Sequence, residues 1–372
     1  MAKSTKSATT TPSILNNKSW DFLQRYINNP SPVGFESSGQ KIWLEYLKPF
    51  VDTHLTDPYG TTVGIVNPDA PFKVVIEAHA DEISWFVNYM TPEGLLYLKR
   101  NGGVDQQIAP AQRVFIHGKK GPVPAVFGWP AIHTRLGNPD AKEPQPKLDN
   151  LFLDCGARSK KELEDLGVHI GAVVTYQEGY AELAGGHLIG RAFDNRIGGF
   201  MIAEVARLLK ENRKRLPYGL YVVNAVQEEV GLRGAEMIAR RLRPDIAIIT
   251  DVTHDTTTPM INKIIEGDIA CGKGPSLAYG PAVHNKLLAV VQDTAEKNAI
   301  PVQLRAVSRS TGTDTDSFAY ANDGCPSVLI SIPLRYMHTT VEMLHKTDVE
   351  QTIRLMYETL LTLTPKTDLR YL

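Results

Sequence analysis

Two neighbouring glutamates, Glu228 and Glu229, follow the apolar run from Leu220 to Val226 in "GLYVVNAVQEEVGL". A carboxylate at the end of a core strand is costly to bury without a partner, so a pair of them needs an explanation. Four other segments carry similar groups. "VVIEAHAD" ends in His79 and Asp81, and "AIITDVTHD" brings Asp251, with His254 and Asp255 after it. "VLISIPLRYMH" leads to His338, and Asp194 stands in "GRAFDNRIGG" just before a long helical pattern. Two imidazoles and several carboxylates suit zinc or a similar divalent ion. A carboxylate has two oxygens, so one side chain can bridge two cations. Two cations about 3.5–4 Å apart can hold water between them and polarise a carbonyl. A base is then needed to take the water's proton and pass it to a leaving amine. On this reading one glutamate of the pair binds metal and the other is the base. Adjacent strand residues point to opposite faces, so the chain must bend here, and Gly231 is the expected place.

Each residue also has a plainer reading. Asp194 can N-cap the helix starting near Asn195. Asp251 can close a turn, and Glu228 can be solvated. The convergence of five segments favours the site. His54, His117, His169 and His345 lack such company and read as surface or ordinary core residues.

The elements that must position these groups alternate between strand and helix. "SWDFLQRYI" reads as a helix capped by Ser19, and "ESSGQKIWLEYL" as a second starting near Ser38. Lys73 to Ala78 is a β-branched run of the kind found in a fully buried strand. From about Ile83 to His187 the texture changes to short strands such as "RVFIHG", "VPAVFGW" and "AVVTYQ" between Gly- and Pro-rich turns, with one helix at "KKELEDLG". Alternation then returns through "NRIGGFMIAEVARLLKENRKR", "GLRGAEMIARRL", "HNKLLAVVQDTAEKNA" and "DVEQTIRLMYETLLTL". The pattern predicts an α/β fold: a mixed, mostly parallel sheet sandwiched by helices, with an inserted small β-barrel-like domain. In such sheets function sits at the carboxyl ends of the strands, where the groups above fall. The expected boundaries are a disordered tail over 1–13, an α/β domain over 14–83 and 188–372, and the insertion over 84–187.

Bulk properties narrow the function. The 372 residues carry 40 Lys+Arg against 41 Asp+Glu, without the basic excess of a nucleic-acid binder. At 42% hydrophobic residues the chain can build a real core. No apolar run approaches a membrane span, and "MAKSTKSATTTPS" lacks the apolar stretch of a secretory signal. Three widely spaced cysteines argue against a disulfide framework and for a reducing compartment, the cytoplasm.

In this order, "NPSPVGFE", "EAHADEI", "LFLDCGARSKKELEDLGVHIG", "RAFDNRIGG", "VQEEVGLRGA", "DVTHD", "GTDTDSFA" and "SIPLRYMHTTVEM" resemble the tetrahedral, or glutamyl/deblocking, aminopeptidases. The resemblance covers nearly the whole chain after the tail. It implies a dinuclear metallo-exopeptidase with two divalent ions per subunit, zinc before cobalt or manganese. His79 and Asp251 would bind one ion, Glu229 and His338 the other, and Asp194 would bridge them. Glu228 would be general base and acid, and Asp81 would orient the His79 imidazole. The insertion would be a dimerisation domain, with dimers assembling into a hollow dodecamer that takes short peptides. Ala80 and Thr311 stand where many members have Met and Gly; neither change removes a ligand. The competing readings are a metal-dependent hydrolase of N-acyl amino acids or dipeptides, a glycoside hydrolase, and a non-catalytic scaffold.

Overall fold

The computed structural model describes residues 13–135, 144–177 and 179–372. The expected tail lies outside the described residues, apart from Ser13. Among the described residues, one sheet holds eight strands in the order Thr53–Thr56, Thr62–Val66, Gly219–Ala225, Lys73–His79, Ile246–His254, Ser327–Leu334, Ser276–Tyr279 and Gln303–Ala306. The four central strands, from Gly219–Ala225 to Ser327–Leu334, run parallel, and the flanking pairs make the sheet mixed. Their Val- and Ile-rich sequences are buried on both faces, as central parallel strands require.

The helix Phe193–Glu211 crosses the sheet over Lys73–His79 and Ile246–His254 and packs against Asn17–Asn28, Ser37–Leu47 and Lys346–Thr362. It is buried almost all round. Glu204, a fully buried acid midway along it, takes hydrogen bonds from Ser19, Tyr46 and Arg207. The sequence places the first N-cap at Ser19; the cap is Asn16, one turn earlier. Asn16 accepts from the Ser19 backbone while the Ser19 hydroxyl receives the Asn16 N–H, a reciprocal capping box. The second helix starts at Ser37 with no side-chain cap.

The β-rich stretch divides. Six strands close a barrel in the order Ser84–Met90, Leu96–Asn101, Phe152–Asp154, Gly121–Gly128, Arg113–Gly118 and Val173–Tyr176, around Trp85, Ile116, Phe127 and Leu153. Ala181–Glu182 instead pairs with His187–Gly190, which pairs in turn with Glu342–His345, in a small separate sheet. The neck between barrel and body is clasped at Glu82. Its backbone exchanges hydrogen bonds with Ser31 and Val33, and its carboxylate accepts from the Ser31 N–H at 2.6 Å and faces Arg191 at 3.4 Å. His79 and Asp81 precede the exit into the barrel, and Asp194 follows the return.

Candidate metal centre

Lys73–His79 and Gly219–Ala225 end level, with Ala225 opposite His79, while Ile246–His254 pairs with Lys73–His79 only as far as Ile249. Beyond that point the strands part. The opening holds His79, Asp194, Glu228, Glu229, Asp251 and His338 around a cleft of about 220 Å³. All six are brought together. Asp194 lies between the imidazoles: its Oδ1 is 3.2 Å from His79 Nε2 and its Oδ2 is 3.2 Å from His338 Nε2. Asp251 Oδ1 and Glu228 Oε2 lie 3.9 and 3.8 Å from His79 Nε2, and Glu229 Oε1 lies 3.2 Å from His338 Nε2.

Local backbone geometry produces this convergence. Ala192, Gln227 and His338 all have left-handed φ, at 62°, 59° and 62°. The bend that aims both glutamates inward is therefore at Gln227, before the pair, and not at Gly231, which closes the short turn after it. Asp81 fixes that turn: its two oxygens accept from the Glu228 and Glu229 N–H groups at 3.0 and 3.1 Å. The same carboxylate lies 3.4 Å from His79 Nδ1, too poorly aligned for a full hydrogen bond but close enough to favour Nδ1–H. We expect Asp81→Asn, which turns an accepting oxygen into a donor facing an N–H or the imidazole, to cut metal affinity about 10–100-fold in a chelator competition. Gly234 closes the far end of the loop. A Cβ there would sit 2.3 Å from the Val226 carbonyl oxygen, which is backbone and cannot swing away. Gly234→Ala should cost about 1–3 kcal/mol in denaturant unfolding and displace the glutamate turn.

Asp194 does not cap its helix; it makes no capping hydrogen bond and lies outside helical φ/ψ. Its N–H donates to Glu342 Oε2 at 3.0 Å, and the His338 N–H donates to Glu342 Oε1 at 2.8 Å. Glu342 thus ties two segments far apart in sequence, a role the sequence reading did not assign; the clue was an acid four residues after His338. Below the cleft, the buried acids Glu77 and Asp314 have carboxyl oxygens without a hydrogen-bond partner among the described residues, and burial pushes both up, Glu77 to about 8 and Asp314 well above the usual range. His254 lines the cleft rim. Asp255 points elsewhere, accepting from Cys271 N–H, Thr257 N–H and Arg335.

The electrostatics fit a cation site. Burial drives Glu228, Glu229 and Asp251 upward, with repulsion from neighbouring acids adding to it. Burial opposes charge on the imidazoles, but the surrounding carboxylates overcome it, taking His79 well above its usual range and His338 to about 11. Burial also resists charge on Asp194, yet the two histidines hold it below the ordinary carboxylate range. Among the described residues, no lysine or arginine ion-pairs with any of these four acids. Four carboxylates against two imidazoles leave buried negative charge to be neutralised by protons or by divalent ions. Among the described residues, three groups of nearby donor atoms are suited to ions: His79–Asp194–Asp251, Asp194–Glu229–His338 and His79–Glu228–Glu229. A larger cavity, about 460 Å³, lies between the barrel and the first helices, but Phe35, Phe115, Pro122 and Tyr176 line much of it and, among the described residues, no cluster of acids converges there.

Comparison with known proteins agrees with this geometry. The lysyl aminopeptidase of Pyrococcus furiosus is 32% identical over 339 residues, covering 90% of this chain and 95% of that protein. A TET aminopeptidase from a marine sediment thaumarchaeote superposes with a TM-score of 0.89 at 31% identity, over 94% of this chain and 98% of its own. The TET1 peptidase of Pyrococcus horikoshii, which assembles into a tetrahedron or a large octahedral shell, gives 0.80 at 26% identity, over 91% of this chain and 98% of its own. Residues 60–355 match the M42 glutamyl aminopeptidases, and the chain belongs to that family of metal-dependent peptide hydrolases.

Proposed function

We propose that the chain removes the N-terminal residue of short peptides using two divalent ions, with Glu228 as general base and acid. The observation that carries this reading is the placement of Asp194, whose two oxygens face opposite histidines at 3.2 Å each. His79 and Asp251 would hold one ion, Glu229 and His338 the other, and Asp194 both; zinc suits this mixed N/O set, as do cobalt and manganese. When bound, such ions polarise a scissile carbonyl and acidify water held between them. Glu228 takes the proton of the attacking water and gives it to the departing amine. Asp81 keeps Glu228 and Glu229 aimed inward through their backbone N–H groups.

Acids are scarce outside this cluster on the cleft wall, and Arg305, Thr311, Thr313 and Met337 complete the space for a substrate side chain. The domain reading is a body over 14–83 and 188–372 and an inserted dimerisation domain over 84–187. Its support is the separately closed barrel core and the shells formed by the Pyrococcus horikoshii relative. Assembly of this chain into a dodecamer belongs to the same proposal. Three unpaired cysteines fit a reducing cytoplasm, and among the described residues no helix is long and apolar enough to cross a membrane.

A panel of aminoacyl-p-nitroanilides with acidic, basic and apolar residues tests the reading, with N-acetylated controls, before and after chelation and re-addition of zinc, cobalt or manganese. Metal-restored cleavage of free-amine substrates alone is the expected result. Cleavage of the acetylated controls instead would make the chain an N-acyl hydrolase. Cation uptake should also release protons. Asp194 apart, the acids and imidazoles that would bind the ions, His79, Glu229, Asp251 and His338, hold protons more tightly here than in water, and each must lose its proton to bind a cation. Affinity therefore falls as pH falls, and calorimetry in buffers of different ionisation enthalpy should register the release.

A further inference from the structure

The barrel reaches into the metal centre. The turn after Leu96–Asn101 carries Gly102 and Gly103, and the Gly103 carbonyl lies 3.2 Å from His338 Nδ1. That contact selects the tautomer with Nδ1–H and leaves Nε2 free to face Asp194 and Glu229. The turn also lies on Glu229: a Cβ at Gly102 would be 3.3 Å from Glu229 Cβ. A Cβ at Gly103 would be 2.9 Å from both Cε1 and Nδ1 of His338. Asn101 moors the turn to both units, its Nδ2 donating to the Val33 carbonyl at 2.9 Å and to Ser84 Oγ at 2.8 Å. Among the described residues, no barrel backbone group makes such a contact with His79, whose Nδ1 instead faces Asp81 at 3.4 Å, just beyond its own strand end.

We infer that the Gly102–Gly103 turn of the inserted barrel is a positioning element for one of the two cations, the one held by Asp194, Glu229 and His338. This rests on the two-cation reading above. The barrel is thereby part of the active site as well as a closed unit with its own core. A shift of this turn relative to the body acts most directly on that cation. Glycine is required at 103 by contact alone, because its φ is not left-handed and alanine fits its backbone. Gly102 has φ +88° and would add backbone strain to any substitution, so Gly103 is the cleaner probe.

The test is a Co²⁺ titration of the full-length chain, followed by competition with a chelator and by the visible absorption of the bound ion. Wild type should show two binding steps. In Gly103→Ala one step should weaken about 10–100-fold with a changed absorption band, while the other keeps its wild-type affinity. Asn101→Ala loosens the turn without crowding the imidazole and should weaken the same step, roughly tenfold. Ile116→Val thins the barrel core away from the site, and both steps should stay as in wild type. Wild-type constants in both turn variants, or equal weakening of both steps, would overturn the inference. A wild type that binds a single ion overturns the two-cation reading and this inference with it, and that failure is visible before any variant is made.

Discussion

Glu228→Gln should bind its full complement of cations, melt at or above the wild-type temperature, and lose kcat by about 10²–10⁴-fold on any p-nitroanilide the wild type cleaves. Burial holds the Glu228 carboxyl far above its usual pKa in the metal-free protein, so the neutral amide matches the form already present. The turn that carries it depends on its backbone N–H donating to Asp81, which the substitution leaves intact. The amide cannot accept and return a proton. Metal analysis beside the kinetics separates two roles, because Glu228 also belongs to a possible ligand group with His79 and Glu229. Normal turnover would sink the base assignment. Loss of metal together with activity would make Glu228 a ligand.

Asp194→Asn should do more damage by another route. Among the described residues its carboxylate is the acid that lies 3.2 Å from both imidazoles, and the histidines hold it ionised against burial. An amide has one accepting oxygen and no charge, so it cannot serve both halves. We expect metal content to fall from two ions per subunit to one or none, and activity to fall at least as far as in Glu228→Gln. Metal-free, the variant should also be destabilised by about 3–5 kcal/mol, the cost of removing one partner from a buried charge cluster. Two ions retained at wild-type affinity would contradict the bridging assignment.

The residues that converge in the cleft were legible because their chemistry is local to strand ends. An acid or imidazole that ends a run such as "VVIEAH" or "AIITD" has few places to be in a parallel sheet. The architecture was legible for a related reason: continuous Val/Ile runs must be buried on both faces, and helical spacing between them forces crossovers. What escaped detection acts through the backbone. Glu342 binds two N–H groups, Gly103 offers a carbonyl, and the bend precedes the glutamate pair at a glutamine whose type gives no sign of left-handed φ. The "NGG" doublet was the available hint, since paired glycines after a strand mark a close approach. Ser19 illustrates a different limit. As a Ser three residues into a helix it can serve as cap or as third member of a capping box, and only the position of Asn16 decides.

The left-handed residues at Ala192, Gln227 and His338 have a consequence for any effort to stabilise this enzyme. Each non-glycine residue there costs on the order of 1–3 kcal/mol, and each sits at or within two residues of a proposed ligand or base. Glycine at Ala192 or Gln227 would relieve that cost in the folded state, yet it would give the unfolded chain more freedom and let the ligands drift. Selection for thermal stability alone should therefore leave these positions untouched or relax them at the expense of activity. Stabilising changes that spare turnover belong elsewhere, in the barrel core and on the helical surface of the body, where no strained turn aims a ligand.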